Sequence, residues 1–223
     1  MKSDFYSKII LTGWVMIFVV VAACDSSPPA ANTTRNSVSS DRATTIEETF
    51  ENTDDWETIS GRWSLEKSGG RTVLKQTATD NRYPVILLRE PEFSDVDVTV
   101  QFRPISGKID ASGGIVFRAL DGANYYIVRA NSLEDNFRLY ATVAGSRRQI
   151  ASTKVDPPQI GEWHTLRVVA VGDHIQAYLN GKLLIDHRDS RFQSGHVGLW
   201  TKADAVTQFA DFKVLGVVSK NSR

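Results

Sequence analysis

The chain is poor in cysteine: Cys24 is its only one in 223 residues, so no intrachain disulfide can form. Neither charge sign is in excess, with 26 Lys and Arg against 26 Asp and Glu. A nucleic-acid partner is therefore not expected, because displacing counterions from a phosphate backbone takes a basic face. The one basic doublet, Arg147-Arg148, reads as a solvated turn. There is no Gly-x-Ser-x-Gly elbow, no P-loop and no Gly-x-Gly-x-x-Gly, which removes the usual sequence signals of a serine hydrolase or a nucleotide site. The four histidines (His164, His174, His187, His196) lack the His-x-x-x-His spacing of a helical zinc site. No segment keeps a 3.6-residue period for three turns.

What is there begins with an address. Lys2 and Lys8 precede an almost unbroken apolar run from Ile9 to Ala23, and the small-residue stretch Val21-Ala22-Ala23 leads into Cys24. This is the layout of a signal peptide. It resembles the lipobox of bacterial lipoproteins, and the resemblance implies that Cys24 is lipidated and becomes the first mature residue. A transmembrane anchor is the rival reading, but the run is 15 residues, short of the roughly 20 that span a bilayer core. A soluble secreted protein is the third. The expected location is the bacterial cell envelope, on the periplasmic side or the cell surface, with the membrane as a partner through the lipid.

Residues 24–45 are rich in Ser, Thr, Asn, Pro and Ala, with Val38 the only large apolar residue, and are expected to be a flexible linker. From 46 to 218 short apolar runs alternate with Gly, Asp, Asn and Pro clusters, and 219–223 are expected to be a disordered tail. That pattern predicts an all-β domain, a two-sheet antiparallel sandwich or jelly roll. The expected strands are Arg62–Glu66, Thr72–Gln76, Val85–Leu88, Val96–Arg103, Gly114–Leu120, Tyr125–Ala130 and Phe137–Val143, then His164–Val171, His174–Leu179, Lys182–Asp186, Gly195–Thr201 and Thr207–Val214. Gly172-Asp173 and Asn180-Gly181 mark turns, the second being a strong two-residue hairpin signal.

The stretch WHTLRVVAVGDHIQAYLNGKLLIDHRDSRFQSGHVGLW, Trp163 to Trp200, carries a strand, a Gly-Asp turn, a second strand closed by Asn-Gly, and then Asp-x-x-Phe-x-x-Gly-x-Val-Gly-Leu. It resembles the later strands of concanavalin A-like (laminin G-like) lectin and glucanase jelly rolls. It is similar in particular to the bacterial group of 3-keto-disaccharide hydrolase-like, or glycosyl hydrolase-like, domains. GGIVFRALDGANYYIVRAN and FADFKV extend the likeness over most of Phe50 to Val214. The fold hosts lectins, adhesion modules and hydrolases alike.

Strand alternation locates a candidate ligand face. A four-residue loop at Asp121–Asn124 would pair Leu120 with Tyr125, setting Arg118 against Ile127 and Phe117 against Val128. A second loop at Asn131–Asn136 would pair Ala130 with Phe137, Arg129 with Arg138 and Ile127 with Tyr140. Ile115, Phe117, Tyr126, Val128, Ala130, Phe137, Leu139 and Ala141 then make a core face, and the other face gathers Arg118, Tyr125, Ile127, Arg129, Arg138 and Tyr140. Like charges directly opposite each other destabilise a sheet, so solvent, a nearby carboxylate such as Glu134 or Asp135, or a ligand must compensate. Tyrosine rings and guanidinium forks suit a sugar. The candidate carbohydrate-binding residues are Arg118, Tyr125, Arg129, Asn131, Glu134, Arg138 and Tyr140. Ion pairs and hydroxyls that tie a sheet to an overlying loop explain the same residues equally well.

The Glu-x-Asp-x-x-Glu strand motif of retaining β-glucanases is absent, Glu90, Glu92, Asp95 and Asp97 being in the wrong order. An enzyme acting on glycosides, which the hydrolase-like resemblance implies, would need a proton donor; Glu134 and His164 are the only candidates. The resemblance also implies calcium on loops, for which Glu51 with Asp211 is the candidate pair. Trp200, Lys202 and Asp204 could form a rim of the same groove. Three readings stay open: a carbohydrate-binding module with its ligand on the concave sheet face, which is preferred, a glycoside-degrading enzyme acting on 3-keto or related glycosides, and a structural or adhesion module without a small ligand.

Overall fold

The computed structural model describes residues 37–39, 43–80 and 82–219. The expected signal segment, Cys24, most of the expected linker and residues 220–223 lie outside them. Fifteen strands follow in chain order: β1 (Ala43–Glu48), β2 (Trp56–Ser60), β3 (Trp63–Ser68), β4 (Arg71–Gln76), β5 (Val85–Leu88), β6 (Phe93–Ser106), β7 (Ser112–Asp121) and β8 (Asn124–Asn131). Next come β9 (Asn136–Val143), β10 (Ser146–Lys154), β11 (His164–Val171), β12 (His174–Leu179), β13 (Lys182–Arg188), β14 (His196–Trp200) and β15 (Val206–Val218). No helix occurs among the described residues.

The strands form two antiparallel sheets. One runs β13-β12-β11-β6-β15-β4-β3, with β1 added along β15; the other runs β10-β9-β8-β7-β14-β5-β2. Period-2 alternation drives the first: in β6, Phe93, Val96, Val98, Val100 and Phe102 are buried. They meet Ile115, Phe117, Tyr126, Val128, Ala130, Phe137, Leu139 and Ala141 of the second sheet in one apolar cluster. The core face expected from the pleat is thus the one that packs. The chain is a β-sandwich. Asn180 and Gly181 both have positive φ, 49° and 79°, as a tight hairpin turn demands.

Strands β1, β2 and β10 were not expected. Each is short of apolar residues because it runs along an edge or pairs with a single strand. Ala43, Thr44 and Thr45, inside the segment read as linker, are already strand, and Val38 is buried. At the other end the Ser219 amide donates to the Glu92 carbonyl.

The register of β8 on β9 follows the expected pairing, Arg129 opposite Arg138 and Ile127 opposite Tyr140. That of β7 on β8 does not. Phe117 faces Tyr126 and Val116 faces Ile127, while Asp121 faces Asn124 across a two-residue turn. The difference is absorbed by a bulge after Phe117, where Arg118 has φ +50°. The bulge turns Arg118 away from the other two arginines.

Candidate functional site

The outer face of the second sheet carries rows of side chains that the registers place side by side. One row runs Trp200, Gly114, Arg129, Arg138 across β14, β7, β8 and β9. The next runs Gly198, Val116, Ile127, Tyr140, and beyond it Tyr125, Thr142 and Arg147 align across β8, β9 and β10. Gly114 has no side chain to separate Trp200 from Arg129: a Cβ there would lie 3.3 Å from Arg129 Cβ, 3.4 Å from Trp200 Cε3 and 2.9 Å from the Val128 carbonyl. Val85, Leu87, Val116, Ala119, Tyr125, Ile127, Tyr140 and Trp200 form a second buried apolar cluster here. Strands β7 and β8 are thereby buried on both faces over most of their length, unlike strands with a solvated outer side.

Aromatic rings lie beneath this face, Trp200 fully buried and Tyr140 nearly so, with Tyr83 and Arg147 packed over them. Tyr83, from the segment before β5, stacks on Trp200 with centroids 5.8 Å apart and planes 23° apart. The Arg147 guanidinium lies 4.3 Å from the Tyr140 ring centroid, 4.7 Å from that of Tyr83 and 5.3 Å from that of Trp200. The doublet read as a solvated turn therefore places one arginine over three rings.

Glu134, in the β8–β9 turn, answers the like-charge pair. Its Oε2 is 2.7 Å from Arg129 Nη2 and 3.4 Å from Arg138 Nη1, and it accepts from Asn136 Nδ2 at 2.9 Å. Burial pushes this carboxyl up, but the Asn136 and Arg129 hydrogen bonds and the charges of Arg129 and Arg138 outweigh it and hold the pKa at about 2. Glu134 is ionised at neutral pH and has no proton to donate. The Tyr140 hydroxyl accepts from Arg129 Nη2 at 3.4 Å and Arg138 Nη1 at 3.3 Å. Burial pushes the Tyr125 hydroxyl up, against hydrogen bonds with Thr142 and Trp200.

Other expected members go elsewhere. Arg118 is buried and donates to the carbonyls of Ser94 (2.9 Å), Gly172 (2.7 Å) and Phe192 (3.2 Å), with Asp95 at 3.6 Å. It ties β7 to β6 and to the β11–β12 turn rather than facing a groove. Asn131 is fully buried; its Oδ1 accepts from the amides of Ala111 and Leu133, and its Nδ2 donates to Asp110. That carboxylate, also buried, accepts from the Ser112 amide at 3.0 Å and pairs with Lys202 at 3.3 Å. Asp204 accepts from the amides of Lys108, Ile109 and Asp110. The loop after Trp200 is thus clamped to the loop before β7.

His164 is in the other sheet, tilted on the Phe102 ring at 5.5 Å, with Nε2 3.0 Å from the Gln159 carbonyl. Asp211 is ion-paired with Arg71, and no group of three or more metal-ligating side chains occurs among the described residues. The residues the pleat did not find are Arg147, Tyr83 and Asp110. Arg147 sat in a strand too polar to be recognised, and Tyr83 and Asp110 sit in loops, where no periodicity signals position.

The comparisons with known proteins fit this architecture. The chain is 28% identical over 149 residues to the levanase of Bacillus subtilis (strain 168), a match that covers 65% of this chain and a fifth of the levanase. Among solved structures it is similar to the carbohydrate binding module CBM66 from Bacillus subtilis, with 25% identity and a TM-score of 0.63 over 71% of this chain and 94% of that one. The Bacillus licheniformis β-glucanase shares the jelly-roll fold at 10% identity, with a TM-score of 0.55 over 77% of this chain and 97% of the glucanase. Residues 46–215 match the family model throughout, and the chain belongs to the family of 3-keto-alpha-glucoside-1,2-lyase-like domains.

Proposed function

We propose that this protein is a carbohydrate-binding jelly-roll module whose ligand lies on the outer face of the second sheet, and that a lipid on Cys24 holds it on the extracytoplasmic side of a bacterial membrane. The observation that carries the binding reading is the juxtaposition of Tyr83, Trp200 and Tyr140 rings with the Arg129–Glu134–Arg138 ion-pair network. Rings cover the apolar face of a sugar, while guanidinium and carboxylate groups bond its hydroxyls. The likeness to a carbohydrate binding module supports it. The signal-like layout ending at Cys24 supports the anchor.

Membership of a lyase-like family favours catalysis as the second reading. Glu134 is ionised with a pKa of about 2, which makes it a poor proton donor and a weak base. His164 is bonded within the other sheet. Neither candidate serves a proton transfer at this face, so binding is the preferred reading.

Titration of the full chain against a glycan panel, with levan included because the relative is a levanase, tests the proposal. Trp200→Ala and Arg138→Ala should each weaken binding by about tenfold or more, the loss expected for a stacking ring or a charge-assisted bond. Unchanged affinity in both variants would remove the site from this face. Incorporation of labelled fatty acid that persists in Cys24→Ala would remove the anchor.

A further inference from the structure

The candidate face holds more guanidinium than carboxylate. Arg129, Arg138 and Arg147 share it, and among the described residues Glu134 is the one acid in ion-pair contact with any of them. Of the neighbouring charges, Lys202 is matched by Asp110 at 3.3 Å and Asp135 by Lys154 at 3.3 Å, while the Arg82 guanidinium, 5.4 Å from the Tyr83 ring centroid, adds to the positive side. Among the described residues, at least two positive charges of this face are left without an ion-pair partner.

The donors of these groups are also incompletely used. Arg129 is 2% exposed, yet only its Nη2 is bonded; Nε and Nη1 reach no acceptor among the described residues. The same holds for Arg138 Nε and Arg147 Nη1. Buried donors without acceptors are rare because each forfeits the bonds it had in water, and charged ones forfeit more. Here four such atoms belong to three arginines on one face. A neutral hydroxyl could accept from one of them but would leave the charge untouched. An oxyanion answers both, and a guanidinium fork matches its geometry. The Tyr140 hydroxyl reports the same field. Burial would push its pKa up, but the charge of Arg129, the hydrogen bonds from Arg138 and Arg129, and the charge of Arg147 bring it below the ordinary value.

Access is through Arg147. Its Nη1 has no acceptor among the described residues, and its guanidinium lies over the faces of Tyr83, Tyr140 and Trp200. A sugar ring that takes those faces displaces the guanidinium toward whatever the ring carries. Arg138, whose side chain is 31% exposed, stands at the same opening.

We infer that the sugar bound on this face carries an oxyanion, a carboxylate or a sulfate ester, held between Arg138 and Arg147 with its ring against the aromatic floor. This rests on the carbohydrate-binding reading above.

The test is calorimetric titration of the full chain, in a polyoxyethylene detergent, with matched pairs of ligands. Galacturonate, glucuronate and mannuronate oligosaccharides are set against their methyl esters, and a sulfated galactan oligosaccharide against its desulfated form. Levan serves as a neutral glycan. At least one charged member should bind about tenfold or more tightly than its neutral partner, and added salt should erode the difference. The arm in which this happens identifies carboxylate or sulfate. Arg138→Gln and Arg147→Gln should abolish the preference, the charged member losing about tenfold more affinity than its neutral partner, an outcome that general unfolding, which weakens both alike, cannot mimic. If neutral glycans bind and no charged member binds more tightly than its partner, the oxyanion is overturned and the carbohydrate reading stands. If no glycan binds at all, both fall.

Discussion

Arg129 and Arg138 stand directly opposite each other across the β8–β9 ladder, and one carboxylate, Glu134 from the turn between the strands, contacts both. The turn supplies the counter-charge that makes this cross-strand pair tolerable. The hairpin is therefore an electrostatic unit as well as a register.

Removing that carboxylate gives the first expected outcome. The folded pKa of Glu134 lies at about 2, below its ordinary value of 4.5. A depressed carboxyl contributes stability that is fully present above the unfolded value and is lost as pH falls through the folded one. Glu134→Gln should therefore cost on the order of 1–2 kcal/mol at neutral pH, after discounting for the group's partial exposure. The gap to the parent should close between about pH 4.5 and pH 2. Urea unfolding at several pH values measures it; a gap that stays constant down to pH 2 would show that charge is not the cause.

Arg118 separates structure from site. Its guanidinium serves three backbone carbonyls, and Arg118→Met leaves all three without that donor. Leaving a buried acceptor without its donor costs roughly 1–3 kcal/mol, so three such carbonyls make the substitution strongly destabilising. Thermal unfolding should register the loss, while the fraction that remains folded binds glycan with parental affinity. Weakened binding at unchanged stability would return Arg118 to the site.

Gly114→Ala tests the row itself. Its φ is not in the left-handed region, so the backbone accepts alanine, but the new methyl meets Arg129, Trp200 and the Val128 carbonyl. Overpacking of this degree costs about 1–3 kcal/mol. Because the methyl presses on the Trp200 ring and on the Arg129 side chain at its Cβ, glycan affinity should fall as well. Parental affinity in Gly114→Ala would mean that the Trp200–Arg129 spacing is irrelevant to binding.

How far the sequence discloses this arrangement depends on the kind of signal each residue emits. Alternation in FSDVDVTVQF and in NYYIVRAN is strong because one face must be dry, and it sorts core from outer face correctly. The Arg129–Arg138 pairing is legible for the same reason: the six residues between Ala130 and Phe137 close a turn that keeps the parity. Arg118 is not legible. The bulge that displaces it is a backbone event of one or two residues, and an arginine at φ +50° announces nothing beforehand. Arg147 was hidden by the opposite fault. SRRQIASTK is an edge strand, half solvated and bulged after Gln149, so its alternation is broken where it would have been informative. Asn131 has the right position and a different task, since a buried amide that bonds two backbone N–H groups and Asp110 organises loops, whatever face its strand exposes.

Asp110 gives the last expected outcome. It is fully buried and surrounded by donors: the Ser112 amide and hydroxyl, Asn131 Nδ2 and the Lys202 ammonium. In Asp110→Asn the side chain keeps its size but turns an NH2 toward at least one of those donors and leaves Lys202 without its counter-charge. The expected cost is about 2–4 kcal/mol, from one opposed donor and one lost ion-pair partner. Lys202→Met in the same chain removes the second of these and should recover part of the loss, so the two substitutions are coupled in a double-mutant cycle. Because Lys202 follows Trp200 by two residues, the same clamp sets where the Trp200 ring lies. Asp110→Asn should accordingly lower glycan affinity in folded protein, and Lys202→Met should not restore it. Additive stabilities in the cycle would show that Asp110 and Lys202 act apart.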